Sequence, residues 1–164
     1  MRLVVGGDHA GYHLKGAVVA ALRAWGHAVE DVGPHTAEPV DFPDVAWAVC
    51  AAVRDDRAER GLLVCGTGVG ACIAANKIPG IRAALAHDAH SAHQCVEHDD
   101  ANVLCLGAQV VGEWLALDLL RTYLAAEYRD EEPFRRRLAK LADLERRAAS
   151  LINAVPVRPA EPAG

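Results

Sequence analysis

Apolar positions along the chain fall into two alternating patterns. Leu3–Gly6 (LVVG), Leu62–Cys65 (LLVC) and Val103–Leu106 (VLCL) are almost continuously apolar and read as strands covered on both faces. Ala28–Val32 (AVEDV) and Arg82–Ala86 (RAALA) complete the candidate strands. Between them lie stretches with helical spacing. His13–Trp25 carries Leu14, Val18, Leu22 and Trp25 on one face. Pro43–Val53 has a proline suited to a first helical turn. Gly70–Lys77 predicts a short helix ended by Pro79 and Gly80. Asp88–Glu97 and Glu113–Ala126 follow, then Pro133–Ala149, a charged stretch that reads as a solvated terminal helix. Strand, helix, strand, repeated, predicts an α/β fold: a parallel sheet with helices on both faces.

The last stretch, residues 153–164 (NAVPVRPAEPAG), holds three prolines and has no periodicity. It is expected to be a flexible Pro-rich tail after a single domain over residues 1–152.

Composition adds what kind of core this is. Of 164 residues, 52% are apolar but only 5% aromatic, so Val, Leu, Ile and Ala must fill the interior. A net charge of −5 argues against a whole-domain basic field for nucleic acid. No apolar run approaches the ~20 residues of a membrane span, and the N-terminus does not read as a signal peptide. There are five cysteines, Cys50, Cys65, Cys72, Cys95 and Cys105. An odd number without a C-x-x-C spacing argues against both a zinc ribbon and a disulfide framework. A reduced, cytoplasmic setting is therefore expected, with four of the five acting as small hydrophobes.

Ligands of open α/β sheets bind beyond the carboxyl ends of the strands. Three such ends carry chemistry here: Gly6-Gly7-Asp8-His9, Cys65-Gly66-Thr67-Gly68-Val69-Gly70, and His87-Asp88. The alternating glycines free the backbone for tight turns, and the following helix start can hold an anion. Cys65 stands at the edge of this nest, where the expected effect is a lowered thiol pKa and a better base or nucleophile. Asp8 reads either as a helix cap or as one of a polar pair, with His9, facing Cys65. A rival reading takes Gly66 to Ala71 as G-x-G-x-x-G/A with Asp88 as its acidic partner, a dinucleotide fold. Its glycines follow the third strand rather than the first, and the chain leaves little room for a second domain. His87, His90, His93 and His98 form a histidine-rich stretch that reads as solvated helix histidines rather than a metal site.

His98 poses a geometric problem. The helix before it runs back toward the amino end of strand five, roughly 17 Å from Cys65 at the other end of the sheet. If both serve one site, His98 must come from a second subunit.

The segments GGDHAGYHLK, DFPDVA, GLLVCGTGVGACIAANKIPGIRAAL, EHDDANVLCLGAQVVG and RRRLAKLADLE resemble type B ribose-5-phosphate isomerase, within the group that includes galactose-6-phosphate isomerase. The resemblance covers nearly everything but the tail. It implies a Rossmann-like three-layer sandwich with a five-stranded parallel sheet and a C-terminal helix. It also implies a homodimer or dimer of dimers whose sites are shared between subunits. The implied chemistry is aldose–ketose isomerisation of a sugar phosphate through an enediolate, with no metal or cofactor. Cys65 matches the base, and Thr67 the residue that helps move a proton between the two oxygens. Asp8 and His98 match residues linked to opening the furanose ring, and His9 a phosphate-side position. Backbone N–H groups of Gly66, Gly68, Val69 and Gly70 match the anion hole for the enediolate, the kind of stabilisation that usually dominates. Where many relatives carry a tyrosine, this chain has Phe42, with Asp41 retained before it.

The chain also departs from that pattern. The usual His-Asn is His98-Asp99, and an ionised Asp99 cannot donate a hydrogen bond. The usual Gly-x-Arg is Gly107-Ala108-Gln109, which replaces a phosphate-binding cation with a neutral amide. The first Arg of the last helix motif is lost, while Arg137 matches the second; Arg135, Arg136 and Arg129 are the nearby alternatives. Two enzyme readings follow: ribose 5-phosphate with a rearranged phosphate clamp, or the same chemistry on another sugar or sugar phosphate. A non-catalytic module binding a nucleotide or sugar phosphate is a third.

Overall fold

Alternation along the central strands decides the layering. In the computed structural model, which describes residues 1–152, five parallel strands are ordered β2-β1-β3-β5-β4. They are β1 (Arg2–Gly7), β2 (Ala28–Asp31), β3 (Arg60–Cys65), β4 (Ala83–Leu85) and β5 (Val103–Gly107). Leu3, Val5, Leu62, Val64, Leu104 and Leu106 point to one face. There they meet α1 (Tyr12–Ala24), α4 (Ala89–Asp99) and α5 (Glu113–Ala125). Val4, Leu63, Cys65, Val103 and Cys105 point to the other face, against α2 (Phe42–Arg54) and α3 (Val69–Ala75). Each fully buried Leu or Val contributes about 1.5–3 kcal/mol, so an aliphatic core can hold three layers with few aromatics. The five strands and the helices between them lie within a few residues of their expected positions, and the expected α/β architecture holds.

Two polar anchors tie the layers. Lys15 of α1, almost wholly buried, donates to both oxygens of Asp31 at 2.7 and 2.9 Å. Arg60 donates to the carbonyls of Tyr123 and Ala126, satisfying the end of α5 that lacks helical partners.

The described residues fall into two compact units. Met1–Arg129 holds the sheet and its five helices. The second unit begins at Asp130 and carries α6 (Glu132–Ile152). Within it Arg135 pairs with Asp130 and Arg136 with Glu132, both exposed. The tail expected over 153–164 lies outside the described residues.

The chain runs from β1 to β2 on one side and then returns to place β3 on the other side of β1. That reversal opens a crevice between the carboxyl ends of β1 and β3, where open α/β sheets bind ligands.

Candidate active site

Register brings the first two chemical loops together. Gly7 lies opposite Val64, and Cys65 opposite Gly107. The Asp8 N–H donates to the Val64 carbonyl at 3.1 Å, so Asp8 extends the ladder one rung and comes alongside Cys65. The Asp8 side chain is buried, and its Oδ1 accepts from the Gly11 N–H at 2.9 Å. The same carboxylate is close enough to the Cys65 thiol to raise its pKa. Asp8 is therefore not the cap of α1, whose N-cap is Gly11; its carboxylate holds the turn before the helix and faces the site.

Gly68 shapes the loop that follows. Its φ is +79°, in the left-handed region, and a Cβ there would lie 2.6 Å from Leu85 Cδ1. This turn aims the N–H groups of Gly66 and Gly68 at the Cys65 sulfur. Thr67 and Val69 are left exposed at the rim, with the Val69 N–H 3.4 Å from Thr67 Oγ1. Gly70 lies under the ring of Phe42: a Cβ there would be 3.1 Å from the ring edge.

The expected fall in the Cys65 pKa is overturned. Burial pushes the thiol above its ordinary value, and the hydrogen bond to Asp8 and the negative charge of Asp8 add to this. The Gly68 and Gly66 amides pull the other way and lose. A nest that sequence reading offers to an external anion is, in the folded chain, already turned toward a sulfur. Cys50, Cys95 and Cys105 fit the role of inert hydrophobes, each raised. Cys72 departs from it: hydrogen bonding with the Cys105 thiol lowers it.

Gly7, Asp8, Phe42, Val45, Cys65 and Ala71 are among the residues lining a crevice of about 150 Å³. His9 is exposed in the same loop as Asp8. Gln109, also exposed, joins them: its N–H donates to the Gly66 carbonyl at 2.9 Å, and its Oε1 lies 3.3 Å from where a Gly66 Cβ would stand.

His98 and Asp99 are elsewhere. Both belong to the last turn of α4 rather than following it. Arg82, just before β4, donates to the carbonyls of Asp99 and Asp100, which fixes this turn at the amino end of the sheet. Cys65 is at the carboxyl end, four residue steps along β3 from the rung of Val103, roughly 13 Å away by strand rise alone. Glu97 Oε2 lies 3.6 Å from His98 Nε2 and 3.5 Å from His93 Nε2. Arg137 sits on α6, exposed, with its guanidinium 5.6 Å from the centroid of the Phe134 ring.

Asp88 does not face a ligand. Its two oxygens take the Ser91 N–H at 2.8 Å and the Ser91 hydroxyl at 2.7 Å, capping α4. That removes the acidic partner on which the dinucleotide reading depends. His87 corrects the reading of solvated helix histidines. It precedes α4, is half-buried, and its Nε2 accepts from the Gly107 N–H at 3.2 Å. Its place at the end of β4 was the available signal. No helix among the described residues is long and apolar enough to cross a membrane.

The profile of the Ribose/Galactose Isomerase family matches residues 3–141. D-erythrulose-4-phosphate isomerase 2 of Mycolicibacterium smegmatis is 41% identical over 147 residues, 88% of this chain and 95% of that protein. Ribose-5-phosphate isomerase B of Escherichia coli is 42% identical over 127 residues, 77% of this chain and 85% of that one. Among solved structures, ribose-5-phosphate isomerase B of Clostridium thermocellum superposes with a TM-score of 0.88 at 42% identity, covering 90% of this chain and 99% of the other.

Proposed function

The chain belongs to the ribose/galactose isomerase family, and from that premise we propose that it interconverts ribose 5-phosphate and ribulose 5-phosphate through an enediolate. Its class, a sugar-phosphate isomerase, follows from the family and from relatives above 40% identity. One observation carries the finer reading: a thiol, a carboxylate and two backbone N–H groups converge at the switch point between β1 and β3.

In this reading Cys65 is the base that moves a proton between C1 and C2 of the sugar. Its raised pKa keeps the thiol protonated in the resting enzyme, with the proton held toward Asp8. Transfer of that proton to Asp8 leaves a thiolate facing the Gly66 and Gly68 amides. When the thiolate takes the carbon-bound proton, negative charge passes to the enediolate oxygens. The amides of Gly66, Gly68, Val69 and Gly70 then become its donors. Thr67, exposed at the rim, carries the proton between the two oxygens. Asp8 and His98 open the furanose ring, with Asp99 beside His98. His9 and Gln109 bind the phosphate side.

His98 and Cys65 sit at opposite ends of one sheet, so His98 reaches this site from a second copy of the chain. All five cysteines are free, as a reducing cytoplasm leaves them.

A four-carbon sugar phosphate is the second reading. It is favoured by relatives named D-erythrulose-4-phosphate isomerase at 40% and 41% identity. Incubation with ribose 5-phosphate, erythrulose 4-phosphate and the unphosphorylated sugars in deuterated water, followed by NMR, separates the readings. Deuterium entry and conversion with ribose 5-phosphate as the best substrate support the first reading; preference for the four-carbon phosphate supports the second. No exchange with any of them overturns both and favours a binding module.

A further inference from the structure

In a parallel ladder the N–H groups of alternate residues point to the same neighbouring strand. On β5, the Cys105 carbonyl accepts from Ala86 on the β4 side, at 3.3 Å. The next residue facing that side is Gly107. Strand β4 ends at Leu85, so no further backbone rung meets the Gly107 N–H. The imidazole of His87 meets it instead, with Nε2 at 3.2 Å. The amide proton is fixed, so Nε2 must be the lone-pair nitrogen and His87 serves there as a neutral acceptor.

The same face of Gly107 also meets the loop that carries Thr67. A Cβ at Gly107 would lie 2.6 Å from the Thr67 carbonyl oxygen and 3.0 Å from His87 Nε2. The histidine ring and the Thr67 peptide thus both close on the bare face of Gly107, where a side chain would part them. Its carbonyl also accepts from Val110 and Val111, both at 2.9 Å, closing the turn that carries Gln109. One side-chain hydrogen bond therefore supports the floor under Thr67 and the start of the Gln109 turn.

We propose that His87 is a positioning residue for the isomerisation, holding Gly107 so that Thr67 stays in place for the proton shift between the two sugar oxygens. This rests on the isomerase reading above. Its signature is partition rather than binding. The enediolate either regains a proton at the carbon that lost it, which gives exchange without conversion. Or it passes a proton between its oxygens and is protonated at the neighbouring carbon, which gives product. Displacing Thr67 slows only the second route.

The test compares His87→Phe, which keeps a ring without an acceptor, with His87→Gln, whose Oε1 can take the place of Nε2. The full-length protein is assayed in deuterated water with whichever sugar phosphate the wild type turns over. Loss of one well-made hydrogen bond corresponds to roughly tenfold, so H87F should raise the exchange-to-conversion ratio about tenfold and lower kcat with KM little changed. H87Q should return both to near wild type. Amide exchange at Gly107, read by NMR, should quicken in H87F and be protected again in H87Q. An unchanged ratio in H87F overturns the proposal, as does an equal rise in H87Q. If the wild type turns over nothing, the isomerase reading itself has failed. If it is active while Gly107 exchanges alike in all three proteins, only the role of His87 has failed.

Discussion

Asp8 and Cys65 stand side by side at the ends of two neighbouring strands, and the Asp8 carboxylate raises the Cys65 thiol. The pair sets the resting protonation of the proposed base. Burial and Asp8 both raise the thiol, so reaction of Cys65 with iodoacetamide should be slow at neutral pH and keep rising beyond the ordinary thiol pKa. Asp8→Asn removes the anion while its Oδ1 can still accept from the Gly11 N–H. Alkylation of the Cys65 peptide, followed by mass spectrometry, should be faster in D8N at every pH below the plateau. An unchanged or slower rate would contradict the coupling.

Separation of Cys65 and His98 along the sheet leads to a mixing experiment. Cys65→Ala and His98→Ala should each be inactive on a cyclic substrate. When subunits exchange at equal amounts, half the dimers are mixed and each has one intact site of two. Activity should therefore recover to about a quarter of the wild-type value. Verified exchange with no recovery would argue that one chain completes its own site.

Gln109 stands beside the Gly66 backbone at the rim of the loop. An arginine there adds a cation within reach of a bound phosphate. Gln109→Arg should lower KM for the phosphorylated substrate by roughly tenfold, the scale of one charge-assisted hydrogen bond, and leave unphosphorylated sugars unaffected. Equal effects on both substrate types would show that Gln109 does not face the phosphate.

Lys15 and Asp31 make a stability prediction independent of catalysis. Burial pushes the Asp31 carboxyl up, but the hydrogen bonds from Lys15 and Gly33 and the Lys15 charge outweigh it, and its pKa is lowered overall. Asp31→Asn strands a buried ammonium and should cost about 3 kcal/mol. A lowered folded pKa means the stabilisation is present above the unfolded value and lost as pH falls through the folded one. The D31N penalty in urea unfolding should therefore be flat between about pH 5 and 8 and shrink below about pH 4. A penalty that grows on acidification would contradict the ion pair.

Much of the molecule is local enough to be legible in the chain. LVVG, LLVC and VLCL are apolar on both faces because helices cover both, so periodicity alone marks them as central strands. Pro43 opens α2, and Pro79 and Gly80 follow α3, because proline and glycine act on backbone angles within a residue or two. The three loaded strand ends, and the opposed positions of Cys65 and His98, follow from element order alone. The direction of the Cys65 pKa does not. It depends on Asp8, 57 positions away in the chain, and on burial against a second core layer, neither of which a run of glycines encodes. His87 shows the same limit. A histidine after a strand reads as solvated until the register shows that β4 stops short and leaves a β5 amide for the imidazole to meet. Sequence by itself determined the elements, their order and the loops that carry chemistry, because these are set by neighbours along the chain. Tertiary structure alone decided which groups share a proton, because register across the sheet brings together residues that are remote in sequence.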